Sequence, residues 1–314
     1  MGDAAIEQQA TLREALRMFE HTIASNALAA GNGSSPWPYF IVPNYETLAK
    51  DFKRISNAEF VSVNNFLVDE QRDSYVDFIT PRVEDFVQEA HMQGYGHLDF
   101  LDMNMSKYNS YIAHKVNGSF VPDIDRPYYF ARTVQSPPAR AYGPTINNNL
   151  IGDQVISDGF HAVMKLHDES VYTPIKPFAN LPDDEHAKMH SSPDGASNPH
   201  SFTFSPIHKH PGDTTSEIVA MFALATAWDV SMLNLLPDNV KGMICVIRNT
   251  CNQTVTYRID GKDAWYLGEG DLHPTEFEDM GMFVDLNLQT HPDARSTPGH
   301  CMYWMVRVPL SRGV

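Results

Sequence analysis

Apolar residues near the start of the chain recur every three or four positions. Leu12, Leu16, Phe19 and Ile23 form one stripe, and Glu14, Arg17 and Glu20 lie off it; that spacing predicts an amphipathic helix. Asn32-Gly33 and Pro36 predict its end. The stripe suits either a helix lying on a sheet or a stalk pairing with its copy, and the heptads present are too few for a sustained coiled coil. Trp37 to Val42 then reads as extended, Tyr45 to Phe52 as helical and Phe60 to Val63 as a strand. Asp69 suits the N-cap of a second long helix, whose apolar face runs through Tyr75, Phe78, Ile79, Val83, Phe86 and Val87 towards Met92. Pro81 falls inside that face and predicts a kink.

Further along, Tyr111-Ile112-Ala113 predicts a strand, Asn117-Gly118 a hairpin turn and Tyr128 to Ala131 another strand. Ile156 to Asp168 reads as a helix with Phe160, Val163, Met164 and His167 on one face. Residues 173–200 carry Pro174, Pro177, Pro182, Pro193 and Pro199 among Asp, Ser and Gly, and predict a linker. Beyond it the pattern turns to short strands, divided by a helical patch from Asp229 to Leu236. An antiparallel sheet of this kind must cover its apolar face with helix. The chain of 314 residues exceeds one comfortable core. The expected fold is therefore α+β: a helical stalk over 1–35, a first lobe over 36–172, a linker over 173–200 and a second lobe over 201–314, each lobe an antiparallel sheet with covering helices.

The formal net charge of −16 opposes nucleic acid and anionic membrane surfaces unless a basic stripe overcomes it. The densest basic cluster, Lys50, Lys53 and Arg54, has Asp51 inside it, so no nucleic-acid partner is expected. No apolar run reaches the roughly 20 residues of a membrane span, and the start lacks the basic and apolar regions of a signal peptide. A membrane would be reached only through segments outside this sequence. Cys245, Cys251 and Cys301 lack metal-type spacing; in a reducing compartment they are buried thiols, in an oxidising one two of them pair. Sequons at Asn32, Asn104, Asn117 and Asn252 lean extracellular.

Candidate chemistry is sparse. His208 and His210 alternate on an extended segment and, with His273, could share a zinc ion alongside Asp213 or Asp271; a solvated strand end beside Pro211-Gly212 explains the pair equally, and no HExxH spacing supports a metal. A GxSxG elbow and a GxxxxGK[ST] loop are both missing. Gly268-Glu269-Gly270-Asp271 reads as a turn, and Asp183-Asp184-Glu185 lies in the proline-rich stretch. No cofactor is expected. A small-molecule pocket needs an aromatic-lined hollow with a few fixed polar groups. The first lobe offers Tyr111, Tyr129, Arg132, Gln135 and Asn147, with Arg132 able to grip a carboxylate through two hydrogen bonds.

Several short segments carry a family resemblance: Trp37-Pro38-Tyr39-Phe40, Val68-Asp69-Glu70-Gln71-Arg72, Gln135-Ser136-Pro137-Pro138 with Ile146 to Leu150, and above all Trp228-Asp229 through Leu236-Pro237, Asn249-Thr250-Cys251 and Leu267 to His273. In these the chain resembles the extracellular sensor region of receptor-type guanylate and adenylate cyclases of microalgae, a CHASE-like arrangement. The resemblance implies two PAS-like (Cache/CHASE-like) lobes outside the plasma membrane, an unknown small-molecule ligand, a homodimer through the N-terminal helix, and a cyclase elsewhere in a parent protein. It also implies a Cys251–Cys301 disulfide, closing a loop of about 50 residues and contributing roughly 3–4 kcal/mol, with Cys245 a buried thiol. The alternatives are a metal-dependent hydrolase using the three histidines and a free secreted binding protein.

Overall fold

The computed structural model describes residues 2–32, 36–92, 111–116, 119–136, 146–178, 198–233, 236–274, 282–285, 293 and 296–309. The first helix, α1, spans Gly2–Ala30 and α2 spans Tyr45–Ser56. Strand β1, Phe60–Val68, is longer than its sequence signal. The second expected helix is broken at Pro81 into α3, Arg72–Ile79, and α4, Val83–Met92, joined by a 3-10 turn over Thr80–Arg82. Asp69 opens a separate 3-10 turn instead of capping α3. A hairpin of β2, Ala113–Val116, and β3, Ser119–Pro122, follows; its expected turn, Asn117-Gly118, lies outside the described residues. Then come β4, Tyr128–Ser136, and α5, Gln154–Leu166, whose first backbone N–H groups are capped by the Asp153 carboxylate.

The remaining strands are β5, Val171–Tyr172, β6, Lys176–Phe178, β7, Asn198–His208, and β8, Ile218–Ala227. After a short α6, Trp228–Ser231, come β9, Met243–Asn249, β10, Thr254–Asp260, β11, Asp263–Glu269, β12, Met282–Asp285, and β13, Tyr303–Pro309. No described helix is long and apolar enough to cross a membrane.

One sheet has the order β4-β1-β8-β7-β5, with β6 also on β7, and a second has the order β11-β10-β9-β13-β12. Every pairing within them is antiparallel. The boundary expected near residue 200 is corrected here. Strands β7 and β8, assigned from sequence to the second lobe, pair into the first sheet, where β8 lies beside β1. The second sheet begins only at β9. Proline-rich composition marks an irregular connection, but it carries no information about which sheet the following strands join.

Both faces of the first sheet are covered. Val61, Val63, Val134, Phe222 and Leu224 pack against Leu16, Phe19 and Ile23 of α1 and Ala49 and Phe52 of α2. The Phe19 and Phe222 ring centres are 4.3 Å apart. The predicted stripe of α1 is thus buried on the sheet, and the face it leaves outward carries Met18, 63% exposed. On the opposite face Phe130, Phe204, Met221 and Ala223 meet Phe160 and Val163 of α5. Gly159 lets α5 approach that closely, since a Cβ there would lie 2.6 Å from the Phe204 ring. Leu67, Tyr129 and Ala131 extend the first face onto Tyr75 and Ile79 of α3.

The two sheets share a strap. Thr173 donates its N–H to Phe202 O at 2.9 Å in the first sheet, while Tyr172 O accepts from Cys301 N at 2.7 Å beside the second. Ile175 exchanges two bonds with the Gln253 side chain, 2.7 and 2.8 Å, as if pairing with another strand. Tyr303 Oη donates to Thr173 O at 2.6 Å. His300 Nδ1 accepts from Tyr172 N–H at 3.1 Å, and burial pushes this imidazole down to about 4, leaving it neutral. Cys251 and Cys301, 50 residues apart, are disulfide-linked with Cα atoms 5.5 Å apart, and Cys245 is a buried thiol.

At one end of the first sheet Glu46 of α2 is 4% exposed, and its N–H donates to Glu89 Oε1 of α4 at 3.1 Å. Burial raises the Glu46 carboxyl from about 4.5 to about 7, opposed by the Ser136 hydroxyl and Lys53 and assisted by Glu89. The folded group holds its proton more tightly than the unfolded one. Its contribution to stability is therefore whole below about 4.5 and is lost as pH rises through about 7. Glu46→Gln is expected to flatten this slope and to be more stable than the parent chain at about pH 8; urea midpoints measured on both sides of neutrality check it.

Candidate functional site

The face of the first sheet that receives α5 carries a polar patch. Successive side chains of a strand alternate between faces, so Ser62 and Asn64 of β1 share that face with Phe60. Their partners across the ladder are Gln135 and Arg132 of β4. In an unbroken strand, residues three apart face opposite ways. Here the register shifts between Val63 and Asn64, and this bulge returns Gln135 to the side of Arg132. Arg132 Nη1 donates to Gln135 Oε1 at 2.5 Å. The Asn64 amide donates to Ser62 Oγ at 3.2 Å and Met221 O at 3.3 Å.

Arg132 is 8% exposed, with its guanidinium 5.9 Å from the Phe60 ring centre. Burial lowers its pKa to about 10, with Tyr45 acting in the opposite direction, so it is a cation at neutral pH. Among the described residues no carboxylate pairs with it. Its Nε has no hydrogen-bond partner, and neither has Asn64 Oδ1, although Asn64 is fully buried. A buried charge without a counter-charge costs several kcal/mol, and orphaned polar atoms add to it. The arrangement leaves one guanidinium N–H and one carbonyl oxygen unpartnered, a pairing suited to a carboxylate-bearing molecule that also carries an N–H or O–H donor.

Of the five candidate ligand groups, three meet here. Arg132 and Gln135 do so through side chains and Asn147 through its backbone. Asn147, at φ 63°, donates its N–H to Arg132 O at 2.9 Å, and Arg132 N–H donates to Asn148 O at 3.0 Å. Asn149 follows, its Oδ1 accepting from Phe130 N at 3.1 Å. The asparagine run thereby closes the outer edge of β4 at the patch. A positive φ is tolerated best by Asn and Gly, which explains the residue type at 147.

Tyr129 and Tyr111 stand elsewhere. The Tyr129 side chain points to the α3 face, where its hydroxyl donates to Asp69 Oδ1 at 2.8 Å and accepts from Arg72 Nη1 at 3.3 Å and Arg126 N at 3.0 Å. Burial and the Asp69 bond raise its pKa. Tyr111, half-buried ahead of β2, makes no hydrogen bond or ring contact with the patch. The three histidines weighed as zinc ligands are not brought together. His208 Nδ1 lies 2.9 Å from Glu20 Oε1 of α1, and its Nε2 lies 3.1 Å from His167 O. His210 is exposed in a turn, and His273 bonds Asp271 after β11. Among the described residues no group of three or more His, Cys, Asp or Glu could hold a metal.

Ser62 and Asn64 escaped the sequence reading. Their signal was present: two polar residues interleaved with Val61 and Val63 in a strand with both faces buried. Arg132→Met replaces an unpaired buried cation with an apolar chain of similar reach. It is expected to stabilise the ligand-free protein by about 1–2 kcal/mol, read as a higher denaturant midpoint; a lower midpoint would mean that the charge is balanced within the fold. No protein-family model matches the chain, and no curated protein matches it.

Proposed function

We propose that the chain is the extracellular ligand-sensing region of a membrane receptor, built of two PAS-like lobes, and that Arg132 grips a small carboxylate-bearing ligand in the first. The observation that carries this reading is the buried, counter-charge-free guanidinium beside the unpartnered Asn64 carbonyl. Among the described residues no group of three or more His, Cys, Asp or Glu supports the metal-dependent alternative.

Two further features favour the receptor reading. Both sheets repeat one arrangement, with the first strand between the second and the last and the last beside its predecessor: β4-β1-β8-β7 and β10-β9-β13-β12. Numbered within itself, the first five-strand path runs 2-1-5-4-3, the order of a PAS-like sheet. The disulfide suits an oxidising, extracellular setting. A cyclase as the output of the parent protein follows from the resemblance alone.

In this mechanism the ligand pulls on β1 and β4 from one face, and α1 rests on the other face of the same strands through Val61 and Val63. Ligand preference for one of two sheet–helix arrangements would shift α1; equal affinity for both would move nothing. Two copies would meet through the apolar groove of about 480 Å³ between α1 and α2, lined by Met18, Leu48, Phe52 and Ile55, because the inner stripe of α1 is already buried.

Small mono- and dicarboxylates are expected to raise the melting temperature, a ligand at a hundred times its dissociation constant adding about 2.7 kcal/mol. Arg132→Met should abolish the shift. A set of carboxylates without effect, or an undiminished response in the variant, would sink the assignment. Sedimentation is expected to reveal a dimer that Met18→Glu converts to monomer; a parent chain that stays monomeric at high micromolar concentration removes the relay between copies.

A further inference from the structure

A cavity of about 570 Å³ opens where the strap meets the second sheet, lined by Ile175, Pro199, Asn252, Thr254, Tyr266 and Glu269, among others. On its rim is the turn between β9 and β10. That turn is held rigidly. Asn249 Oδ1 accepts from Cys251 N and Gln253 N, both at 3.0 Å, and Cys251 is fixed by its disulfide to Cys301. Asn252 sits at the tip with φ 61° and is exposed. Its amide makes no hydrogen bond among the described residues, unlike that of Asn249, which donates to Gln253 Oε1 at 2.9 Å.

Asn252-Gln253-Thr254 is a complete sequon, and the turn presents its carboxamide on the surface, where an acceptor must lie. Gln253, the middle residue, is turned away from Asn252, its side chain bonding Ile175 and Asn249. The cavity beside Asn252 combines apolar walls, Ile175, Pro199 and Val255, with the Tyr266 ring and the Glu269 carboxylate. Those are the surfaces a pyranose uses, since its C–H face packs on rings and its hydroxyls donate to carboxylates. We propose that Asn252 carries an N-linked glycan and that the first sugars lie in this cavity, bridging the strap and the second sheet.

In the transfer, Asn252 Nδ2 forms a bond to the anomeric carbon of an oligosaccharide supplied as a lipid-pyrophosphate conjugate. The carbon–oxygen bond to the pyrophosphate breaks, the lipid pyrophosphate leaves with the electron pair, and one amide proton passes to a base. This inference rests on the extracellular reading, and its test separates the two. The chain, fused to a secretion signal, is secreted from a eukaryotic host and treated with peptide N-glycosidase in heavy-oxygen water. Asn252 is expected to be recovered as heavy-labelled aspartate. Thr254→Ala should lose the glycan mass and Thr254→Ser should retain it. Hydrogen exchange in the 252–256 and 266–270 segments should rise on enzymatic removal of the glycan. A secreted, disulfide-linked protein with unmodified Asn252 overturns the attachment while leaving the receptor reading intact; unchanged exchange after removal overturns the seating in the cavity. Retention inside the cell with reduced cysteines would instead remove the extracellular premise.

Discussion

The structure depends on burying both faces of the β1–β8 pair. Neither strand is amphipathic in the usual one-sided sense: Val61, Val63, Phe222 and Leu224 face α1 and α2, while Phe60, Met221, Ala223 and Ala225 face the α5 side. Two helical layers are therefore obligatory, one on each side, and each strand must be apolar along most of its length. The polar patch of Ser62, Asn64, Arg132 and Gln135 is an exception set inside that requirement, as is the buried Asn65 on the other face, which donates to Pro38 O. Real proteins tend to break the consistency of their cores at sites of function.

A second constraint joins the sheets. The strap from Val171 to Ile175 bonds to β7 on one side and to the second sheet on the other. The disulfide then fixes the loop that receives it. Gly299 belongs to the same junction: at φ 81°, a Cβ there would lie 2.2 Å from Asp158 O of α5. The loop preceding β13 is thus packed tightly against α5.

What the sequence made legible was local. The α1 stripe and the interruption at Pro81 emerged as expected, because helix periodicity is written in neighbouring positions; of the expected α5 face Phe160 and Val163 are buried, whereas Met164 is exposed and His167 caps the helix at φ 60°. The pairing of β1 with β8 joins residues far apart in the chain, such as Val63 and Phe222, and no local period encodes it; the boundary near residue 200 was misplaced for that reason. In the site, Arg132 and Gln135 were singled out by residue type, yet they meet only because a bulge restores their common face. Tyr129 was singled out for its ring or its hydroxyl, but it lies on the α3 face and its hydroxyl belongs to the Asp69–Arg72 network. The cysteine pairing came from family likeness, since composition left all three thiols equivalent.

The asparagine run at 147–149 has a consequence for solubility. A terminal β-strand with open amides invites continuation by a neighbouring molecule, the route to runaway fibrous growth. By occupying the backbone groups of Arg132 and the N–H of Phe130, these three residues deny that template along part of β4. At the far margin of the same sheet β5 is only two residues long. Association of this region is thereby steered away from ladder extension, and its helical exterior is left as the surface through which molecules can meet in a closed, countable way.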